Sequence, residues 1–334
     1  MTNEISLPIP GNTPLIKHPE LFGIKGLYSK DETKNPTSTF KDRLAYEMVR
    51  PIADSINKNS NHKKTTFGSI SYGNTAFSMG YYTNVLNTLA NETLANSVAF
   101  VPPNLKEKTY GPNTEGELIF AGKIIEKIKQ HCAIIEIDLK KQIYHSEDLE
   151  KIAREHGIVL DEFVDITEGL NRPAYVHIII EAIEQQLKFA PDYVVVPFGA
   201  GILCNEIIDY VSDMKLKTKV IPVSSGNPET IAVMLYGPIW VDTQSLVENG
   251  SGWTRHDSVD KKGRKREPYL VFHISDEELL STMETLRNNG ISAEASGASG
   301  FALLPYLKRI DPEFDSENHT VLVINTGNGL LNFS

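Results

Sequence analysis

The stretch VVVPFGAGILCNEI, Val194 to Ile207, runs three consecutive valines into a glycine turn and from there directly into a helical pattern. Three β-branched residues without polar alternation predict a strand buried on both faces, the kind found inside parallel sheets. A strand that passes to a helix through small residues belongs to an α/β fold. In such sheets ligands collect beyond the carboxyl ends of the strands, so this turn is a candidate site as well as a structural signal. Gly199 and Gly201 let the backbone come close to a ligand, and the free N–H groups of a helix start suit a phosphate. The stretch lacks the GK[ST] of a P-loop and the third glycine of a dinucleotide fingerprint, so taken alone it says anion cradle and no more.

The same rhythm extends in both directions. Strand-length apolar runs fall at 27–30, 65–70, 97–101, 133–137, 193–197, 220–224, 270–274 and 321–325. Helical patterns lie between them at 115–130, 146–156, 173–189, 201–213, 276–289 and 297–309. Val321–Ile324 repeats the unbroken apolar pattern of Val194–Val196. Thr114 with Glu117, and Ser275 with Glu278, have the spacing of a capping box at a helix start. At 334 residues the chain suits two domains, each a mostly parallel sheet flanked by helices. Region 236–269 breaks the rhythm: it is polar, holds both tryptophans and contains KKGRKR, 261–266, expected as a solvated surface insertion.

Composition narrows the function classes. The balance of 33 basic and 43 acidic residues, net −10, disfavours nucleic-acid and anionic-membrane partners and points to a soluble, cytoplasmic protein. No apolar run reaches the roughly 18 residues of a membrane span, and the N-terminus has no secretory pattern. Cys132 and Cys204 read as buried free thiols, and no histidine spacing predicts a metal site. His177 and Glu181 read as a helix-face pair.

Three further strand-end turns carry chemistry-bearing residues. NPTSTFKDR, 35–43, places Lys41 in a first helical turn, where a cation opposes the helix dipole. SISYGNTAF, 69–77, offers Ser71, Asn74 and Thr75 beside helix-start N–H groups, a pocket suited to a carboxylate. VLVINTGNGL, 321–330, ends its strand in Thr326, Gly327 and Gly329. With the Gly199–Gly201 turn these supply an amine, a phosphate cradle, a carboxylate cradle and a hydroxyl, which are the needs of pyridoxal phosphate with an amino-acid substrate.

On GNTPL (11–15), NPTSTFKDR, SYGNTA (71–76), DYVVVPFGAG (192–201), ISAEASGASGFALL (291–304) and INTGNGL (324–330), in that order, the chain resembles the fold-type II pyridoxal-phosphate enzymes of the tryptophan synthase β superfamily, and within them the threonine synthases. The resemblance implies a large cofactor domain of residues 1–44 and 157–334 and a smaller mobile substrate domain of 45–156. It implies that Lys41 carries the cofactor and moves the substrate α-proton, with Asn74 on the ring hydroxyl. The backbone of Gly199, Ala200, Gly201, Ile202 and Leu203 would hold the phosphate, and Thr326 would meet the pyridine nitrogen. Ser71, Tyr72, Thr75 and Arg172 would face the substrate, a small amino acid, and no metal is implied. A neutral hydroxyl at the pyridine nitrogen favours elimination and replacement over transamination.

Several residues depart from the family pattern. Tyr72 stands where a serine or glycine is usual, Ile202 and Leu203 are bulky in a glycine-rich loop, and NRPAYVH (171–177) offsets Arg172 from the arginine that meets a substrate phosphate. The expected activity is a threonine-synthase-like lyase, with cysteine- or cysteate-synthase-like β-replacement and amino-acid ammonia-lyase as alternatives. A non-catalytic binding protein on the same fold is the alternative of another class. Family members are commonly homodimers, which is the expected assembly.

Overall fold

A computed structural model describes residues 4–71, 73–103, 109–112, 118–139, 143–166, 174–225, 230–232, 246–247, 253–259 and 263–328. Tyr72, Arg172, the Thr114–Glu117 box and most of 236–252 lie outside the described residues.

The chain forms a two-domain α/β architecture. An eight-stranded sheet runs in the order Leu15–Lys17, Gly26–Asp31, Thr320–Asn325, Tyr193–Pro197, Lys219–Ser225, Tyr269–Ile274, Trp253–His256, Leu246–Val247. Its five central strands are parallel, and antiparallel strands close both edges. A four-stranded parallel sheet has the order Ala133–Glu136, Ala95–Val101, Thr65–Ile70, Glu162–Asp165. Glu162–Asp165, which a 45–156 division leaves outside, therefore lies in the smaller sheet.

The valine run behaves as its composition dictates. Tyr193 and Val195 enter one hydrophobic core while Val194 and Val196 enter the other, so the strand is covered on both faces. Val321 and Val323 divide from Leu322 and Ile324 in the same way. Each of these strands ends at the same edge of the sheet, which places their turns side by side.

Three expectations need correction. The helix expected over 115–130 begins only at Ala121, because Leu118–Phe120 pairs as a strand with Thr109–Pro112. The helix expected over 297–309 breaks after Ala302 into a 3-10 turn at Leu304–Tyr306, where Pro305 supplies no N–H for the ladder. The basic run is not simply a solvated insertion. Its last residue, Arg266, forks onto Asp209 at 3.0 and 2.6 Å and is nearly buried against the Ile202–Asp213 helix. Flanking it, Trp253–His256 joins the large sheet, and His256 packs edge-on to Phe198 just before the glycine turn. Among the described residues no helix is long and apolar enough to cross a membrane.

Candidate active site

Backbone and side-chain bonds tie three of the four turns together. The Phe40 N–H donates to the Thr326 carbonyl at 2.9 Å, and the Asn328 N–H to the Ser38 carbonyl at 3.0 Å. Glu294 donates its N–H to the Gly327 carbonyl at 3.0 Å, and Asn74 Nδ2 donates to Glu294 Oε1 at 2.6 Å. Gly297 allows this approach. A Cβ there would lie 2.6 Å from Asn325 Oδ1 and 2.8 Å from the Gly327 carbonyl, so only glycine lets the Ala295–Ala302 helix rest on the strand end. The fourth turn joins through Glu206, one helical turn beyond Gly201, which accepts the Tyr175 N–H at 2.8 Å. Tyr175 in turn reaches Lys41.

Lys41 is the first residue of the Lys41–Asn57 helix. Its Nζ donates to the Tyr175 hydroxyl at 3.4 Å and lies 4.5 Å from the Phe40 ring centroid and 5.3 Å from that of Tyr175. Burial lowers its ammonium to about 8, while the charges of Glu294 and Glu206 pull the other way. Burial pushes both carboxyls up to about 7, against the Asn74 bond for Glu294 and against two backbone N–H groups for Glu206. The result is an amine that loses its proton far more easily than an exposed lysine, set between two carboxyls that keep theirs more easily than usual.

The residues around Lys41 are held by a buried frame. Asp42 accepts the Thr37 N–H at 2.6 Å and the Thr37 hydroxyl, and Thr37 Oγ1 meets Ser78 Oγ of the Asn74–Ala90 helix at 2.8 Å. Burial raises the Asp42 carboxyl to about 6. Arg43 forks onto Glu32 at 2.7 and 2.8 Å and onto Glu181 at 2.8 and 2.9 Å. Lys30 Nζ completes a quartet, 2.8 Å from Glu181 Oε2. Asn35 donates to Glu32 Oε2 at 2.7 Å and accepts the Gly11 N–H at 2.8 Å. The first and last residues of NPTSTFKDR are thus fastened to one carboxylate, and the GNTPL segment is fastened to the first. Glu181 serves this frame, so its sequence reading as a helix-face partner of His177 is replaced by a buried ion-pair role.

At the glycine turn, Gly201 caps the Ile202–Asp213 helix in the left-handed region, φ +80°. A Cβ there would meet the Phe198 ring at 2.9 Å. Leu203 is buried in the core and Ile202 packs against it, so their bulk turns inward and leaves the helix-start N–H groups facing the turn. Gly201→Ala is expected to cost roughly 1–2 kcal/mol for the left-handed backbone and to weaken cofactor retention at least about tenfold through the Phe198 clash. Equilibrium dialysis against the cofactor and a urea melt would read the two effects separately.

The other sequence candidates are placed as follows. Ser71 is buried and accepts the Gly73 N–H at 3.4 Å, and Thr75 is half-buried in the first turn of the Asn74–Ala90 helix. Thr326 is buried, its carbonyl taken by Phe40. Glu294, Tyr175 and Glu206 were not singled out from the sequence. Glu294 and Tyr175 sit inside the quoted segments ISAEASGASG and NRPAYVH, whereas nothing in the sequence distinguished Glu206 from other helix-surface glutamates.

Four buried oxygens around the junction have no hydrogen-bond partner: Asn74 Oδ1, Glu294 Oε2, Asn325 Oδ1 and Asn328 Oδ1. Orphaned buried acceptors are costly, and two of the four, Asn74 Oδ1 and Glu294 Oε2, belong to the bonded pair described above. Among the described residues no group of three or more His, Cys, Asp or Glu could hold a metal ion.

The model of a family described as pyridoxal-phosphate dependent enzyme matches residues 7–327. The chain is 26% identical to a threonine synthase of Bacillus sp. (strain ULM1) over 98% of its own length and 85% of the relative's. It is 41% identical to cysteine synthase B of Campylobacter jejuni over 69 residues, 21% of each chain. Its fold matches a hydrogen sulfide-producing enzyme from Fusobacterium nucleatum with a TM-score of 0.64 and 17% identity, covering 100% of both chains. It also matches holo diaminopropionate ammonia lyase from Escherichia coli with a TM-score of 0.64 and 18% identity, covering 97% of this chain and 86% of the other. The residues present fit pyridoxal phosphate. A glycine-capped helix start suits its phosphate, a lysine of lowered pKa suits its aldehyde, and the Asn74 amide, which keeps one Nδ2 hydrogen after its bond to Glu294, suits the ring hydroxyl.

Proposed function

The chain belongs to the pyridoxal-phosphate-dependent enzymes, and from that premise we propose that it eliminates or replaces the β-substituent of a small amino acid. Lys41 holds the cofactor and moves the proton at the substrate α-carbon. The backbone N–H groups of Gly199, Ala200, Gly201, Ile202 and Leu203 take the phosphate, Asn74 takes the ring hydroxyl, and Thr326 faces the pyridine nitrogen. Ser71 and Thr75, with the helix-start N–H groups beside them, take the substrate carboxylate. When bound, the cofactor supplies the electron sink that makes the α-proton acidic.

The observation that carries this reading, in preference to threonine-synthase chemistry, is the charge around Lys41. Two carboxyls, Glu294 and Glu206, act on it, and the neighbouring cation Arg43 is committed to Glu32 and Glu181. Carboxyls that are partly protonated give a phosphate-bearing side chain no positive partner, whereas they accept a neutral or cationic β-substituent. The names of the structural relatives, an ammonia lyase and a hydrogen sulfide-producing enzyme, agree in direction.

The test supplies the cofactor-loaded protein with 2,3-diaminopropionate, O-acetylserine and O-phosphohomoserine. Pyruvate and ammonia, or acetate release with an added thiol, are expected from the first two, and no inorganic phosphate from the third. Phosphate release with threonine as product would contradict the reading, and no turnover of any of the three would favour a binding protein.

A further inference from the structure

The hydrogen bond between Asn74 and Glu294 joins two residues that each keep one buried oxygen without a partner. Asn74 Nδ2 donates to Glu294 Oε1 at 2.6 Å, while Glu294 Oε2 and Asn74 Oδ1 receive nothing. An amide and a carboxylate share one such bond. An amide and a carboxylic acid can share two, because the acid O–H can donate to the amide oxygen. A proton on Glu294 would offer its unpartnered oxygen a second bond, to the unpartnered amide oxygen of Asn74.

The surroundings favour that proton. Glu294 is 5% exposed, and its backbone is pinned to Gly327, so its carboxyl has little freedom to turn to water. Lys41, from the start of the neighbouring helix, acts on it as the opposing charge, and Glu206 acts on Lys41 as well. The strand-end turn that holds the Glu294 N–H carries the neutral amides Asn325 and Asn328, both bonded to Ser292. Burial is the largest influence and raises the carboxyl to about 7.

We propose that Glu294 is a positioning residue: in its protonated form it holds the Asn74 amide at two points and leaves the second Nδ2 hydrogen aimed at the bound cofactor. Loss of the proton releases Asn74 Oδ1 and lets the amide turn. This rests on the reading that the cofactor lies against Asn74, and it is independent of which amino acid is consumed.

Glutamine carries permanently the donor and acceptor pattern of the protonated acid, so Glu294→Gln separates protonation from position. The first experiment follows the visible absorption of the bound cofactor between pH 6 and 9 in wild type, Glu294→Gln and Glu294→Ala. The wild-type spectrum is expected to step as pH rises through about 7. Glu294→Gln should lack that step and overlay the wild type at pH 6, and Glu294→Ala should hold the cofactor about tenfold more weakly at every pH. Both variants remove the Glu294 charge that acts on Lys41, so any resulting shift at Lys41 is common to Glu294→Gln and Glu294→Ala, and the contrast between those two isolates the hydrogen-bond pattern.

The second experiment needs neither cofactor nor substrate. Infrared difference spectra of the cofactor-free protein at pH 6, wild type minus Glu294→Gln, should contain a protonated carboxyl C=O band beyond those that Glu206 and Asp42 contribute to both proteins, and this band should be shifted in Asn74→Leu. A Glu294→Gln spectrum that titrates as the wild type does would overturn the proposal. Where that variant does not load or fold, an unshifted carboxyl band in Asn74→Leu does the same. Failure of the substrate reading changes neither result.

Discussion

Lys41→Ala is expected to abolish the visible band of lysine-bound cofactor and to lower turnover by at least about 10³-fold, since the proposed function gives this one residue both the attachment point and the proton transfer. The wild type should also show a pH signature. An exposed lysine loses its proton near 10.4, whereas burial brings Lys41 to about 8. The amine is the form that attacks an aldehyde, so cofactor attachment should rise as pH increases through about 8 and fall below it. Stopped-flow mixing of the cofactor-free protein with cofactor across pH 6.5–9.5 would measure this. An attachment rate still climbing steeply at pH 9.5 would show that the site does not perturb its lysine.

Arg43→Ala carries the largest expected effect on stability. Arg43 makes paired bonds to both Glu32 and Glu181 with its side chain 4% exposed, so its removal leaves Glu181 with Lys30 and leaves Glu32 with only the neutral donors Thr13 and Asn35 bonded to it. Breaking a buried ion pair by deleting one partner costs about 3–5 kcal/mol, a large share of the roughly 5–15 kcal/mol that a protein of this kind has. The urea midpoint should fall accordingly. Arg43→Lys should recover only part of the loss, because an ammonium cannot fork onto two carboxylates at once. The pH dependence follows from Glu181. Burial alone would raise it, but Arg43 and Lys30 overcome burial and hold it at about 2, below its ordinary 4.5. Its folded pKa is depressed, so its contribution is present above about 4.5 and is lost as pH falls towards 2. In Arg43→Ala that acid loss should begin at a higher pH. A variant as stable as the wild type would mean that the quartet has no role in holding the NPTSTFKDR turn.

The parts of the fold legible from sequence were those governed by periodicity. Val194–Val196 and Val321–Ile324 alternate between two cores, and an unbroken apolar strand has no other way to be satisfied. The glycine turn after Val194–Val196 was legible as a place where the backbone needs a glycine, and Gly201 adopts φ +80° there. What escaped was decided by partners distant in sequence. Leu118–Phe120 has helical neighbours and becomes a strand because Thr109–Pro112 lies beside it. Arg266 belongs to a run that looks solvated, yet its partner Asp209 lies 57 residues away.

The site shows the same division. Lys41 and Asn74 stand in motifs whose local pattern is readable, but the quartet around Arg43 draws on residues as far apart in sequence as Lys30 and Glu181. Nor could composition assign Glu294 a place beside Asn74, 220 residues earlier. Buried charges have no periodicity of their own, and their pairing emerges only when the sheets assemble.

The most direct measurement is reductive trapping of the loaded protein with borohydride, followed by proteolysis and peptide mass spectrometry. The cofactor mass should appear once, on the peptide containing Lys41, and be absent from Lys41→Ala. Its appearance on Lys30, whose amine is already bonded to Glu181 and to the Thr13 carbonyl, or on no lysine at all, would contradict the account of this site.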